Sequence, residues 1–196
     1  AKENTGGFAI PSHLAFGNYA QAWTRGNFAT YLSSSVLVAA AVVALTVVLA
    51  ILAGFAFARM QFVGSSVLFY TLLIGLTLPA EAFIIPLYFN LRTAGLTDSY
   101  LALILPQTAQ SLAFATFWMR NQFRTFPGEI IEAARLDGAR DLKVLWRVMV
   151  PACIAPIMTM AVLVTMWTWN EFLLPLVLIV SEDRRTAPLG LAFFQG

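Results

Sequence analysis

Charged side chains are absent from long stretches of this chain, and their absence constrains the fold more than any other feature. None lies between Arg25 and Arg59. The apolar part of that stretch, Val36 to Ala58, would extend roughly 35 Å as a helix, enough to cross a hydrocarbon layer of ~30 Å. The chain is 59% hydrophobic and only 11% charged, whereas soluble domains carry about 25% charged residues. We therefore predict an all-α integral membrane protein, because a helix satisfies its own backbone hydrogen bonds in lipid.

Three more apolar stretches predict helices that cross the membrane. The second stretch contains Pro79, Glu81 and Pro86, so we expect a kink or an unwound turn there. The third is free of charge but contains Pro106 and two glutamines, and it should contact other helices on one side. The predicted polytopic bundle therefore has four spans, at about residues 31–58, 62–89, 99–119 and 148–180.

Basic residues are distributed unequally between the two sides of this bundle. The connection 120–147 carries six of them, and Arg59 lies on the same side, whereas the opposite side carries five, mostly far from short loops. Because basic residues favour the cytoplasmic side, we predict that 120–147 is cytoplasmic. Residues 1–30 and 181–196 are then external loops.

Residues that could carry catalysis or bind a metal are scarce. The chain has one cysteine, Cys153, and one histidine, His13, which excludes an internal disulfide, a cysteine-rich metal site and most hydrolytic mechanisms. Neither Lys2 nor Lys143 follows a glycine, so no phosphate-binding P-loop can be written. We predict that the chain is not an enzyme and that it binds no metal or cofactor itself.

The cytoplasmic connection has the pattern of two short helices joined by a bend. Pro127 suits the first turn of a helix, and Glu132 lies near its positive end. Ile130 and two alanines give this first helix a small apolar face. Asp137 is a good N-cap and Gly138 tolerates unusual backbone angles, so one helix can end there and another begin.

The second helix of the connection is predicted to be amphipathic. Its apolar positions are Leu142, Leu145, Trp146 and Met149, which recur at helical spacing. It should lie along the membrane surface and lead into the fourth span. An interfacial connector without any partner is the alternative. Small alanines flanked by charges favour a docking surface instead.

The connection resembles the EAA signature of the permease subunits of bacterial ABC importers. The resemblance lies in residues 132–134 (EAA), Gly138 and residues 148–151 (VMVP). Val148 and Val150 depart mildly, since the family has Ile and Leu there.

The resemblance extends over nearly the whole chain. The segments IIPLYFNLRTAGLTDSYLALILP, FWMRNQFRTFPGEIIEAARLDGA, WTWNEFLLPLVLIV and TAPLGLAFFQG are similar to those of the carbohydrate-uptake branch, the maltose-system-like inner-membrane permeases. Such permeases have two more spans than the four predicted here. The resemblance therefore implies the bundle of a type I ABC importer permease, in a partial chain that lacks the first and last spans.

The resemblance also implies the partners and the place of this chain. It would pair with a second permease subunit, bind two ABC ATPase subunits, accept sugar from an extracytoplasmic binding protein, and lie in a bacterial inner membrane, with no nucleic acid involved. ATP and Mg would be bound by the ATPase partner. The implied coupling residues, which follow the ATPase as it closes, are Glu132, Ala133, Ala134, Arg135, Asp137, Gly138 and Ala139.

Polar side chains within the spans are candidates for the substrate path. Trp167, Asn170 and Glu171 have the spacing i, i+3, i+4, so they should share one helix face. The other candidates are Glu81, Gln107 and Gln110. Interhelical hydrogen bonds, or pairing of Glu171 with the partner subunit, would explain the same residues without any contact to substrate.

The end of the chain matches a family loop that reaches into the binding protein. Candidate contacts are Gly190, Leu191, Phe193 and Phe194, although these residues could also begin a turn on the membrane surface. Two other functional classes stay open at this point. One is an ion-gradient-driven secondary transporter or channel, against which the chain shows no convincing inverted repeat. The other is a scaffold, which would not need Glu81 and Glu171 within spans.

Overall fold

The computed structural model describes residues 16–194, apart from the side chain of Ala80, and this part of the chain is helical without any strand. The all-α prediction is confirmed. The helices are α1 Gly17–Arg25, α2 Phe28–Arg59, α3 Ser65–Ile74, α4 Ile84–Thr93, α5 Tyr100–Thr125, α6 Gly128–Leu136, α7 Asp141–Val144, α8 Val150–Ala152, α9 Ile154–Asn170, α10 Leu173–Leu178 and α11 Ala187–Phe193.

Helix α2 corresponds to the first predicted span and forms the centre of the bundle. It is 32 residues long and contains an 18-residue stretch with a mean hydropathy of 3.1. Among the described residues it is the one helix long and apolar enough to span a membrane unaided, and there are up to three spans if two bent helix pairs are counted. It runs beside α5 in the same direction. Ser34 meets Tyr100 at one end, where the hydroxyl oxygens are 2.9 Å apart, and Arg120 Nε donates to the Phe57 carbonyl over 3.4 Å at the other.

Helix α5 covers the third predicted span and continues to Thr125, beyond the predicted limit at residue 119. The side chain of Ser99 caps its start by accepting from the Ala102 N–H over 3.3 Å. It is long enough to cross a membrane, but Pro106 and the glutamines make it too polar to qualify by composition. One side of α5 is buried against the other helices, as expected.

The second predicted span is broken, as its prolines indicated. Helices α3 and α4 meet at 93°. Between them lie two 3-10 turns, Gly75–Thr77 and Ala80–Phe83, with Leu78 and Pro79 extended. Pro86 lies in the first turn of α4, where no intrahelical N–H bond is required. Pro79 lies within the break, and Pro86 prevents α4 from extending regularly back into it, because it has no N–H to bond the Ala82 carbonyl.

The fourth predicted span, 148–180, needs correction at both ends. The helical segment Asp141–Ala152, which we call the surface segment, is bent by 79° from α9. Residues 148–152 therefore belong to the surface segment, and the long helix begins at Ile154. Pro156 explains the break, because it has no N–H to bond the carbonyl four residues earlier. At the other end α9 stops at Asn170, and α10 forms a separate short helix that contains Pro175.

The two predicted external loops contain helices. Helix α1 lies within the first, and the second holds a 3-10 turn, Glu182–Arg184, followed by α11. Residues 1–15 and 195–196 lie outside the described part of the chain. Both segments therefore include short helices, of nine and seven residues, which are too short to give a clear periodic signal in the sequence.

Two apolar clusters divide the buried residues between the ends of the bundle. We call the cluster at the end of the bundle that contains α6 the inner cluster, and the cluster at the opposite end the outer cluster. The inner cluster joins α2, α5, α6, the surface segment and α9 through residues including Phe55, Met119, Ile131, Leu145 and Ile157. The outer cluster joins α2, α4, α5, α9 and α10. The EAA segment therefore shares its buried contacts with three long helices.

Candidate functional site

The EAA segment forms α6 and the turn that ends it. Asp137 follows the last helical residue, and Gly138 adopts a left-handed φ of 78°. The Ala139 N–H donates to the Ala134 carbonyl over 3.0 Å and the Gly138 N–H to the Arg135 carbonyl over 2.9 Å. This is the Schellman arrangement that closes a helix. We had expected Asp137 to cap the second helix. It instead ends the first helix, and Arg140 is the N-cap residue of α7.

Position 138 favours glycine because its backbone is in the left-handed conformation. A Cβ atom added there would meet no atom within 4 Å. A side chain would thus find space but would place an L-residue in a left-handed conformation, which costs roughly 1–2 kcal/mol. The turn joins α6 to α7.

Helix α6 has one buried and one exposed face. Ile131 is 6% exposed and packs in the inner cluster, with Ala134 and Ala139 packed against it. Ile130, which we had assigned to the apolar face, is 46% exposed. The remaining predicted coupling residues are all exposed, namely Glu132, Ala133, Arg135, Asp137 and Gly138.

Polar contacts hold this helix to its neighbours. Arg135 Nη2 lies 2.9 Å from Asp141 Oδ1, joining α6 to α7, and both side chains are about half exposed. Arg59, at the end of α2, donates through Nη2 to the Phe126 carbonyl, just before α6 begins. The segment is thus fixed at both of its ends.

The surface segment after the turn contains one π-helical stretch, Leu145–Met149. Leu145 and Met149 are buried in the inner cluster, whereas Leu142 and Trp146 are exposed. The predicted apolar face is therefore divided, because a wider π turn shifts residues from the 3.6-residue spacing on which the prediction depends. Such π turns are frequent at functional sites.

The two glutamines of α5 lie in different environments. Gln107 is 4% exposed, and its Oε1 has no hydrogen-bond partner among the described residues. Gln110 is exposed and lines a groove of about 350 Å³ between α5 and the broken second span, together with Leu78 and Phe83. Glu81 is exposed in the break itself. Only Gln110 and Glu81 therefore face open space.

The predicted face of Trp167, Asn170 and Glu171 does not include all three residues. Asn170 is the last residue of α9, and Glu171 has an extended backbone. The Glu171 carboxylate accepts from the backbone N–H groups of Leu173 and Leu174 over 2.9 and 3.0 Å, so it caps the next helix. Trp167 and Asn170 are exposed, and the Trp167 ring centroid is 4.9 Å from that of Phe114.

Of the four candidates for binding-protein contact, three are exposed and one is buried. Leu191 and Phe193 are exposed on α11, and so is Phe194 directly after it. Gly190 is buried, and a Cβ there would lie 2.1 Å from the Tyr31 ring. Gly190 is therefore a close-packing position and cannot form an exposed tip.

Asp98 organises the outer end of the bundle, and we did not single it out from the sequence. Its Oδ1 accepts from the N–H groups of Val180 and Ser181 over 3.0 and 2.9 Å, the Ser181 hydroxyl donates to Oδ2, and Arg184 donates to its carbonyl. The Asp98 N–H donates to the Leu178 carbonyl over 2.9 Å. The hydroxyl and N–H of Ser181 hold the pKa of Asp98 below its usual range. Its position in a short polar loop between apolar runs was the available signal.

Comparison with known proteins identifies the family to which this helical arrangement belongs. The binding-protein-dependent transport system inner membrane component family matches residues 46–195. The chain belongs to this family. Residues 132–138 lie inside the matched range. The family assignment favours neither the gradient-driven transporter nor the scaffold.

Relatives in the same family transport several sugars. The chain is 35% identical to the diacetylchitobiose uptake system permease protein of Streptomyces coelicolor, over 95% of this chain and 62% of that protein. It is 32% identical to the trehalose transport system permease protein of Mycobacterium tuberculosis, over 97% of this chain and 69% of that protein. The chain thus spans about three fifths to two thirds of its relatives' length.

A solved structure shares the fold. It is a bacterial ABC transporter involved in the import of the acidic polysaccharide alginate, with a TM-score of 0.80, 24% identity, and coverage of 96% of this chain and 66% of that one. The predicted type I permease architecture is thereby confirmed. The chain is thus a member of the inner-membrane-component family, and the relatives named above are permease proteins of sugar uptake or transport systems.

Proposed function

We propose that this chain forms half of the translocation pathway of an ATP-driven sugar importer. A second permease subunit would complete the pathway, and separate ATPase subunits would bind ATP and Mg and hydrolyse the nucleotide. An extracytoplasmic binding protein would deliver the sugar. In this proposal residues 120–147 face the cytoplasm of a bacterial cell, and the outer end faces the binding protein.

One observation carries the coupling role of α6. Ile131 is buried in the inner cluster with residues of α2, α5 and α9, while the opposite side of α6 is exposed. A force applied to the exposed side would therefore reach three long helices through close-packed contacts. Alternation between inward-facing and outward-facing states needs such a connection between a motor and the pathway.

Small residues and charges on the exposed side support a docking surface for the ATPase. Ala133 presents only a methyl group, which lets a partner approach the helix closely. Glu132 and Arg135 flank it with opposite charges, which would fix the orientation of the partner. The cleft that receives α6 would belong to the ATPase subunit.

The sugar class is supported by relatives whose names state diacetylchitobiose, trehalose and arabinooligosaccharides as their substrates. Within this chain, exposed groups on the spans are the candidates for contact with sugar. Trp167 and Asn170 offer an aromatic ring beside an amide, and Gln110 and Glu81 lie at the break of the second span. Gln107 and Glu171 instead have structural surroundings, one buried in α5 and one capping α10.

Two glycines provide a matched test of the coupling role. Gly95 closes α4 with the same pattern as Gly138, since the Leu96 N–H donates to Leu91, the Gly95 N–H donates to Arg92, and φ is 69°. A Cβ at Gly95 would also meet nothing within 4 Å. Gly138→Ala and Gly95→Ala therefore carry equal backbone strain at opposite ends of the molecule.

We expect Gly138→Ala to lower transport and binding-protein-stimulated ATP hydrolysis at least several-fold in the reconstituted complex. Gly95→Ala should leave both close to normal, and Gly138→Asn should restore coupling, because Asn tolerates left-handed angles. Both rates would be measured in proteoliposomes with equal amounts of assembled complex. Equal losses in the two alanine variants would show that strain alone is responsible and would contradict the coupling role.

A further inference from the structure

A polar pocket of about 440 Å³ opens at the outer end of the molecule. It lies where α1, the start of α2, the 3-10 turn at Glu182 and α11 meet. The residues that define its chemistry are Asn18, Gln21, Arg25, Tyr31, Glu182 and Arg185. None of them belongs to the coupling segment or to the candidate substrate path.

The wall of this pocket is held by specific contacts. Glu182 Oε1 accepts from Asn27 Nδ2 over 2.8 Å and from the Tyr31 hydroxyl over 3.0 Å. These two hydrogen bonds, led by that of Asn27, hold the pKa of Glu182 below its usual range. Gly190 lets α11 pack directly on the Tyr31 ring, and the Phe28 and Phe194 ring centroids are 5.3 Å apart. The pocket is therefore an ordered feature of the fold.

Positive charge predominates in the lining. Glu182 is the acidic group, and two donors already occupy its Oε1. Two guanidinium groups line the same space, those of Arg25 and Arg185. Arg185 is stacked on Phe193, with Cζ 4.7 Å from the ring centroid. Within residues 16–194 neither arginine forms an ion pair closer than 4.0 Å.

We propose that this pocket receives a carboxylate side chain of the extracytoplasmic binding protein, held between Arg25 and Arg185. An arginine guanidinium binds a carboxylate through two parallel N–H bonds. The contact with the Phe193 ring restrains the Arg185 guanidinium, so less freedom is lost on binding. The amides of Asn18 and Gln21 can bond the remaining oxygen lone pairs. This inference rests on the proposed function, because it requires a binding-protein partner.

The surroundings of the pocket favour a carboxylate on a protein over a small anion. Leu191 and Phe193 on α11 are 57% and 54% exposed beside it. Exposed apolar and aromatic residues next to arginine are typical of the energetic centre of a protein interface. A free anion would leave these side chains in water. The binding protein would cover them while its carboxylate enters the pocket.

Paired substitutions in the full reconstituted complex test this inference. Arg25→Gln with Arg185→Gln removes both charges and keeps an unbranched polar side chain, although a shorter one. Arg92→Gln makes the same change at an exposed position in the last turn of α4 and is the matched control. We expect the double variant to weaken binding-protein affinity about tenfold or more and to flatten its dependence on salt. The control should bind normally. ATP hydrolysis at saturating binding protein should be preserved, unlike in Gly138→Ala.

The outcomes separate this inference from the proposed function. If the complex responds to a binding protein but the double variant binds it with unchanged affinity and salt dependence, the pocket assignment is wrong. The assignment to a protein carboxylate is also wrong if uptake of an anionic sugar falls while binding-protein affinity stays normal, since the pocket would then receive substrate. A complex that ignores every binding protein and hydrolyses no ATP would instead overturn the proposed function.

Discussion

The two ends of this molecule are held together by different forces. At the inner end, α6 and the surface segment join the long helices through buried apolar side chains such as Ile131, Leu145 and Met149. At the outer end, directional hydrogen bonds join the loops and helix ends, with Asp98 and Glu182 as their centres. Both ends have an apolar cluster, but the outer end adds a network of hydrogen bonds centred on two carboxylates.

This difference has a mechanical consequence. Apolar packing is non-directional, so helices that share it can tilt by small amounts while the buried area stays nearly constant. Hydrogen bonds to a carboxylate lose strength quickly when their geometry changes. We therefore expect the outer end to move as one unit, and the long helices at the inner end to tilt with the motion that α6 passes to them.

The largest expected effect comes from cutting the packed connection at its centre. Ile131→Ala removes a buried side chain from the inner cluster, and such truncations cost about 2–5 kcal/mol. Ile130→Ala is the matched control. Ile130 is next to Ile131 along α6 but is 46% exposed, so its truncation should cost little stability. We expect Ile131→Ala alone to lower the thermal midpoint of the complex and to reduce the ratio of sugar transported to ATP hydrolysed.

A different pattern would contradict the packed connection. If the two variants have the same thermal midpoint, Ile131 does not carry the contact that its burial indicates. If Ile131→Ala lowers the midpoint but leaves the transport ratio at the wild-type value, then α6 stabilises the bundle without transmitting motion. The comparison of the two ends would then describe stability only.

The next effect concerns the outer end and depends on pH. Asp98→Asn keeps the left-handed φ of 56° accessible, because Asn tolerates it, but removes the charge that accepts from Val180 and Ser181. Hydrogen bonds to charged groups contribute about 1.5–3 kcal/mol each, and solvent reduces this at a partly exposed site. We expect a lower thermal midpoint at neutral pH, with Asn90→Asp as an exposed control in the neighbouring helix.

The sign of the pH dependence follows from the lowered pKa of Asp98. A carboxylate with a depressed folded-state pKa stabilises the fold above its unfolded value, and this contribution is lost as the pH falls through the folded-state value. The wild-type protein and Asp98→Asn should therefore converge in stability as the outer medium is acidified below about pH 4. A difference that stays constant well below about pH 4 would show that the Asp98 charge is not responsible, because the charged group is then protonated in both the folded and unfolded states.

Helix α2 was predictable from the sequence because a charge-free run of this length has few alternatives in lipid. Breaks in the helices were predictable only in part. Pro79 was a correct signal, but the ends of α9 depend on Pro156 and on the cap that Glu171 supplies to α10. Hydropathy averages over such positions, so it joined residues that the structure separates.

The EAA segment was predictable as a helix and a turn, whereas the buried face of α6 was not. A helix of nine residues contains too few apolar positions to show whether Ile130 or Ile131 faces inward. The contacts of Asp98 and Glu182 were also missed, because each joins segments more than 80 residues apart in the chain. Such pairings leave no local pattern.

The smallest expected effect on stability tests what the exposed face of α6 does. Arg135→Gln and Asp141→Asn both remove the 2.9 Å ion pair between α6 and α7. Since both side chains are about half exposed, each change should cost no more than about 1 kcal/mol. Only Arg135 lies on the proposed ATPase-docking face. We expect Arg135→Gln to reduce binding-protein-stimulated ATP hydrolysis more than Asp141→Asn does, in assays of equal amounts of assembled complex. Equal losses would assign the effect to the ion pair and so to the bend between α6 and α7, whereas a loss confined to Arg135→Gln would assign it to contact with the motor.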